Sequence, residues 1–127
     1  MDVLMAERLW LWRKANKMAQ ATAAEMFGIG ERAYRDIEAG RRGLANWPPA
    51  LRARIEALVI TDPMLLRLCR RRAGTDSRGT ATDAGYGSHV ALLKAERRGD
   101  PQLFGYWREK GVYKPAGGVL TVRLKYD

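Results

Sequence analysis

The feature that most constrains the fold is a sharp break between two short helical patterns, at Gly28-Ile29-Gly30. The helix before the break covers 20–27 and the helix after it covers 31–38, each with apolar residues at helical spacing. Gly28 stands where the chain leaves the first helix with a positive φ, a conformation in which a Cβ would be penalised. The pattern therefore predicts two helices packed at a tight corner, with the apolar side of each turned inward.

The rest of the chain predicts a mainly α fold with a β-hairpin at the C-terminus. Asp2 is expected to cap the first helix, and the pairs Asp62-Pro63 and Asp100-Pro101 each predict a helix start. Residues 74–88 are either a flexible linker or include a short helix over 80–85. The expected helices are 2–17, 20–27, 31–38, 49–59, 62–72, 89–98 and 101–110, and the hairpin pairs strands 112–114 and 119–126.

Charge favours a polyanionic partner. The chain has 23 Lys and Arg against 14 Asp and Glu, a net charge of +9, and each phosphate that a protein neutralises releases a condensed counterion. The excess is larger in residues 61–127, where 13 basic and 7 acidic side chains give +6, than in 1–60, where 10 and 7 give +3. The predicted organisation is a domain over 1–60 followed by a region over 61–127, and the second of these is the more basic.

Composition argues against an enzyme, a cofactor and a metal centre. Cys69 is the only cysteine and His89 the only histidine, so neither a disulfide, a metal-ligand cluster nor a His-based triad can be assembled. Cys69 is expected to be a small buried hydrophobe. No apolar run approaches the roughly 20 residues of a membrane span and no signal peptide is evident, so the cytoplasm or nucleoid is the expected location.

The corner and its flanks carry a combination of residues that is typical of one family. A small residue lies where the helices would cross, an isoleucine fills the gap under the turn, and a glutamine opens the helix before it. The matching positions are Arg13, Gln20, Ala24, Gly28, Ile29, Tyr34, Ile37 and Glu38-Ala39-Gly40. Over about residues 4–60 the chain resembles the helix-turn-helix of the Cro/repressor (xenobiotic-response-element type) family of transcriptional regulators, and the fold it implies is a five-helix domain of that kind.

The resemblance implies that the helix over 31–38 enters the major groove of DNA, with its N-terminal residues against base edges. Arg32 would then pair with O6 and N7 of guanine, and Glu31 would accept from N4 of cytosine. Asp36 also faces the bases and is expected to pair with Arg32 or Arg35 across one turn. The positions expected near the DNA backbone are Gln20, Arg35 (against a phosphate or a base), Arg41 and Arg42. Gly30 departs from the Ser or Thr that the family often has there.

A second, degenerate helix-turn-helix is predicted over about 80–98. Ala24 and Gly28 fall on Ala81 and Gly85, and after one extra residue in the turn Ala33, Tyr34 and Glu38 fall on Ala91, Leu92 and Glu96. Its groove-facing side would carry Ser88, His89 and Lys94, with Arg70, Arg71, Arg72 and Arg78 near the backbone and the hairpin as a wing. A dimerisation module is the competing interpretation of this half, built on Phe104, Tyr106, Trp107 and the strand over 119–126.

These patterns predict a sequence-specific DNA-binding transcriptional regulator, a repressor of phage or mobile-element type. Its partner is double-stranded DNA, bound as a homodimer on a palindrome or, if both halves read DNA, as a monomer on a longer asymmetric site. No small-molecule ligand and no membrane are expected. The alternative is a protein-interaction module of antitoxin or adaptor type that uses the helix-turn-helix or the apolar C-terminal surface, and RNA binding is a third option.

Overall fold

The structure, a computed structural model, describes residues 1–114 and divides into two compact units. The first unit is Val3–Ile60, and the second consists of Met1–Asp2 with the described residues from Thr61 to Lys114. Residues 1–114 contain eight α-helices and one short 3-10 helix, and no strand occurs in that range. The prediction of a mainly α fold is confirmed.

The first unit packs its helices around aromatic and aliphatic side chains. Its helices are α1 (Met5–Ala15), α2 (Gln20–Met26), α3 (Glu31–Glu38), a 3-10 helix (Leu44–Asn46) and α4 (Pro49–Glu56). α1 lies against α3 and α4, and α2 lies against α3. The buried core consists of Leu9, Trp12, Ala23, Ala24, Tyr34, Ile37, Trp47, Leu51 and Ile55.

The second unit repeats this arrangement with different side chains. Its helices are α5 (Asp62–Ala73), α6 (Ser77–Ala84), α7 (His89–Arg97) and α8 (Pro101–Glu109). α5 lies against α7 and α8, and α6 lies against α7. The buried core consists of Leu66, Cys69, Ala81, Leu92, Ala95, Leu103 and Trp107, which confirms the burial predicted for Cys69.

Both units contain the same helix corner. Gly28 has a φ of 67° and Gly85 a φ of 85°, and in each case the next amide donates back to a buried alanine of the preceding helix. The N–H of Ile29 donates to the carbonyl of Ala24 at 3.1 Å, and that of Tyr86 to the carbonyl of Ala81 at 2.8 Å. The glycine closes the helix because a left-handed residue at this point allows the chain to turn without a Cβ clash.

Several helix starts differ from the prediction. α1 begins at Met5 and not after Asp2, because the Glu7 carboxylate accepts from the amide of Leu4 at 3.0 Å and satisfies the helix start itself. α5 is capped by Thr61, whose hydroxyl accepts from the amide of Met64 at 3.4 Å, and not by Asp62. The ambiguous stretch 74–88 contains a full helix, α6, capped by Asp76 through the amide of Gly79 at 2.7 Å.

The five-helix domain predicted over 1–60 corresponds to a first unit with four α-helices and the 3-10 helix, and α5 belongs to the second unit. The predicted hairpin is not supported. Residues 112–114 form no strand, because the amides of Val112 and Tyr113 both donate to the carbonyl of Trp107 and fold this segment back onto α8. The other predicted strand, 119–126, lies outside the described residues.

Candidate nucleic-acid interface

α3 is amphipathic, with one buried side and one exposed side. Tyr34 and Ile37 are buried in the core of the first unit, and the Glu38 side chain is buried beside them. Arg32 and Arg35 are exposed on the other side. The helix therefore presents a charged face outward while its inner face is fixed by the core.

A buried ion pair holds α3 to α1. Both oxygens of the Glu38 carboxylate accept from the Arg13 guanidinium, each at 2.8 Å, and the two side chains are only 9% (Arg13) and 4% (Glu38) exposed. The Tyr34 hydroxyl donates to Glu38 at 3.0 Å. A bidentate pair of this kind fixes the rotation of α3 as well as its distance from α1.

Gln20 belongs to the same buried network. Its amide nitrogen donates to Glu38 Oε1 at 3.0 Å. Burial alone would raise the pKa of Glu38, but the hydrogen bonds from Arg13, Gln20 and Tyr34 hold that pKa below its usual value. The side chain of Gln20, a residue predicted to lie near the DNA backbone, is thus hydrogen-bonded to Glu38 of its own unit.

Surface ion pairs neutralise much of the outer face of α3. Glu31 pairs with Arg35 one turn on, and Asp36 pairs with Arg41 at 2.8 Å. The predicted pairing of Asp36 with Arg32 or Arg35 is wrong, because the chain reverses after Gly40 and brings Arg41 back to Asp36. Arg32 has no ion-pair partner among residues 1–114, and neither has the exposed Arg42, whose carbonyl accepts from the Trp47 indole at 3.4 Å.

The matching helix of the second unit is held in the same way. Arg70 of α5 donates to both carboxylate oxygens of Glu96 on α7, at 2.7 and 3.1 Å. The side chain of Arg70 is 19% exposed and that of Glu96 is 7% exposed. Arg70, predicted near the DNA backbone, therefore has its guanidinium committed to Glu96.

The other predicted residues of the second unit lie at the start of α7, on its outer side, at the end of α5 and on α6, where Arg78 is exposed. Ser88 caps α7 by accepting from the amide of Ala91 at 3.1 Å, and His89 is the first helical residue. Lys94 is exposed on α7. Arg71 and Arg72 are exposed in the last turn of α5, and Arg72 donates to the carbonyl of Asp2 at 2.7 Å.

Sequence reasoning missed the two buried Arg–Glu pairs. A usable signal was present: Arg13 and Arg70 are 57 positions apart, as are Ala24 and Ala81, and Glu38 and Glu96 are 58 apart, as the extra turn residue requires. A basic residue and an acidic residue that both keep the spacing of a repeat are candidates for a contact with each other. The internal repeat therefore indicates the two Arg–Glu pairs, whereas the helical periodicity of each segment does not.

Within residues 1–114 no group of His, Cys, Asp and Glu side chains could hold a metal ion. None of the helices within residues 1–114 combines the length and the hydropathy that a membrane-spanning helix requires. Burial raises the pKa of the Cys69 thiol to about 11, so it is protonated and unreactive at neutral pH.

Comparison with known proteins finds no match to a protein-family model, to a curated protein or to a solved structure.

Proposed function

We propose that the protein is a sequence-specific DNA-binding transcriptional regulator of the Cro/repressor type, and that α3 of the first unit lies in the major groove. The observation that carries this proposal is the exposed, unneutralised Arg32 at the second position of a helix whose inner face is fixed by the core and by Arg13–Glu38. Residues at the N-terminal end of such a helix are the ones that reach base edges. Binding, not catalysis, is the proposed activity.

The ion pairs on the surface of α3 indicate which of its side chains are available for DNA. With Glu31 held by Arg35 and Asp36 by Arg41, the acidic side chains on α3 are neutralised and do not repel phosphates. Arg32 retains a full set of donors, and an arginine fork matches O6 and N7 of guanine. We therefore assign base reading to Arg32 and backbone contact to Arg42, with repression in a phage or mobile-element setting as the biological role.

The test is a selection of bound duplexes from a random pool, followed by affinity measurements on the enriched site at several salt concentrations. Arg32→Ala is expected to weaken binding by about 1–3 kcal/mol and to remove the preference for guanine at one position. The matched control is Arg54→Ala, which removes the same charge from the exposed side of α4.

An unchanged guanine preference in Arg32→Ala would remove Arg32 from the base-reading set. Failure of the wild-type chain to retain any duplex at low salt would reject DNA binding altogether. A stoichiometric protein partner in the same preparation would then favour the interaction-module alternative.

A further inference from the structure

The second unit has the same helix arrangement as the first, but α7, the counterpart of α3, has a different set of exposed residues. α7 stands where α3 stands in its own unit: it follows the glycine corner, packs against the preceding helix, and is clamped by a bidentate Arg–Glu pair to the first helix of the unit. The N-caps of the two helices, Gly30 and Ser88, are 58 positions apart, and so are Arg32 and Val90. Val90, the second residue of α7, therefore occupies the position that Arg32 occupies in α3.

The exposed charge on α7 is of one sign. Its single acidic residue, Glu96, is buried and bound to Arg70. Lys94 and Arg97 are exposed, and neither has an ion-pair partner among residues 1–114. Val90, Lys94 and Arg97 fall at positions i, i+4 and i+7, so they share one face of the helix. This cationic face contrasts with α3, where Glu31 pairs with Arg35 and Asp36 pairs with Arg41.

Val90 limits what such a face can recognise. The residue is 49% exposed although it is apolar, and its side chain has no hydrogen-bonding atom. Among the features that base pairs display in the major groove, the one an aliphatic side chain favours is the C5-methyl group of thymine. A valine at the position of the first unit's Arg32 is therefore suited to a thymine, with the two cations placed for phosphates.

A second copy of α7 fits this face poorly. Two identical cationic faces repel each other, and one half-exposed valine is small beside the roughly 800 Å² per partner that a stable protein interface buries. A polyanion satisfies both cations at once and gains counterion release. Charge complementarity thus selects nucleic acid as the occupant.

We propose that the second unit is a second DNA-reading unit, in which Val90 contacts a thymine methyl and Lys94 and Arg97 bind phosphates, so that one chain reads two dissimilar half-sites. This inference rests on the proposed function for its duplex partner. It predicts that the enriched site is non-palindromic, with a guanine-dependent part and a thymine-dependent part, and that one chain occupies one duplex.

The deciding experiment replaces the critical thymine by deoxyuridine, which removes only the C5-methyl group. Wild-type protein is expected to lose affinity about fourfold on the deoxyuridine duplex, the value of one buried methyl-sized group. Val90→Ser, changed at an exposed position, is expected to bind both duplexes equally.

A salt titration tests the two cations. Lys94→Ala/Arg97→Ala is expected to lower the slope of log K against log salt by about 1.8, since each phosphate contact contributes about 0.9. The matched control, Arg108→Ala/Lys114→Ala, removes the same charge from exposed positions on α8 and just beyond it and is expected to leave the slope unchanged.

The outcomes separate the two proposals. A palindromic site bound by two chains, with the α7 variants indistinguishable from wild type and Arg32→Ala impaired, would overturn this inference and leave the proposed function standing. Impaired α7 variants beside an unaffected Arg32→Ala would support the second unit and remove α3 from the reading surface. Absence of duplex binding by the wild-type chain would overturn both.

Discussion

The two units share a glycine corner and a buried Arg–Glu pair, but they differ in the exposed residues of the helix that follows the corner. Each closes its corner with a left-handed glycine and clamps the following helix with a buried bidentate Arg–Glu pair. On the outside, α3 balances acidic against basic side chains, whereas α7 exposes Lys94 and Arg97 beside an apolar Val90. The contacts that fix the helix corner are thus repeated, while the exposed residues, which do not hold the corner, differ between the units.

Removal of the buried Arg–Glu pair, called the clamp of each unit, should give the largest difference in unfolding free energy between the units. Glu38→Ala leaves the Arg13 guanidinium buried without a counter-charge, and we expect the first unit to lose about 3–5 kcal/mol of unfolding free energy. Glu96→Ala should destabilise the second unit by only about 2 kcal/mol, because the more exposed Arg70 can recover water.

Urea titrations of the full chain, followed by NMR at the indole N–H groups of Trp47 and Trp107, report the two units separately. Arg13→Met/Glu38→Met, which removes both charges, should recover most of the loss and so serves as the control. Equal losses in the two glutamate variants would contradict the difference in burial.

Acid should weaken the first clamp. The folded pKa of Glu38 is below its ordinary value of 4.5, so the unfolded chain takes up a proton first as the pH falls. The stability that this carboxylate contributes is therefore present above about pH 4.5 and is lost as the pH falls through the folded pKa. Urea midpoints at the Trp47 indole between pH 6 and pH 3 should fall more steeply in wild type than in Glu38→Gln, and parallel curves would exclude Glu38 as the responsible group.

The corner glycines should respond alike in both units. Gly28→Ala and Gly85→Ala place a Cβ on a residue with positive φ, and nothing lies within 4 Å of either new Cβ, so conformational strain alone should destabilise each unit by about 1–2 kcal/mol.

Gly105→Ala provides the opposite control inside α8. It has no positive φ and open space around it, and should stabilise the second unit by about 0.5–1 kcal/mol. Thermal unfolding of the three variants measures both the expected losses and the expected gain in stability. A stabilised Gly85→Ala would mean that the corner does not require a left-handed residue.

Exchange of the helix caps should give the smallest effect. Gly30 offers α3 no side-chain cap, whereas Ser88 caps α7. Gly30→Ser should stabilise the first unit by a few tenths of a kcal/mol, and Ser88→Gly should destabilise the second by a similar amount. Amide hydrogen exchange in the first turns of α3 and α7 resolves changes of this size, and slower exchange in Ser88→Gly would contradict the capping role.

The sequence was informative where the determinants are local. The bounds of α3 and the start of α4 at Pro49 follow from periodicity and proline preference, and the glycine corner follows from the need for positive φ. Helix caps were harder, because Asp2 and Thr61 compete with neighbours whose side chains are equally able to satisfy an amide.

The roles of polar side chains were the least predictable part. Gln20 has the same local signature whether it faces a phosphate or Glu38, and the choice is made by a carboxylate 18 residues away. Asp36 likewise depends on the reversal after Gly40, which brings Arg41 within reach. Long-range partners of this kind are not encoded in helical spacing.

Each Arg–Glu clamp closes over a short span of sequence, 25 residues in the first unit and 26 in the second. The Arg–Glu pair and the helix that it holds in place are therefore encoded in one short segment. Duplication of either segment, or its transfer into another protein by design, would include both partners of the ion pair. Only the exposed residues of the transferred helix would then need to be changed for a new target.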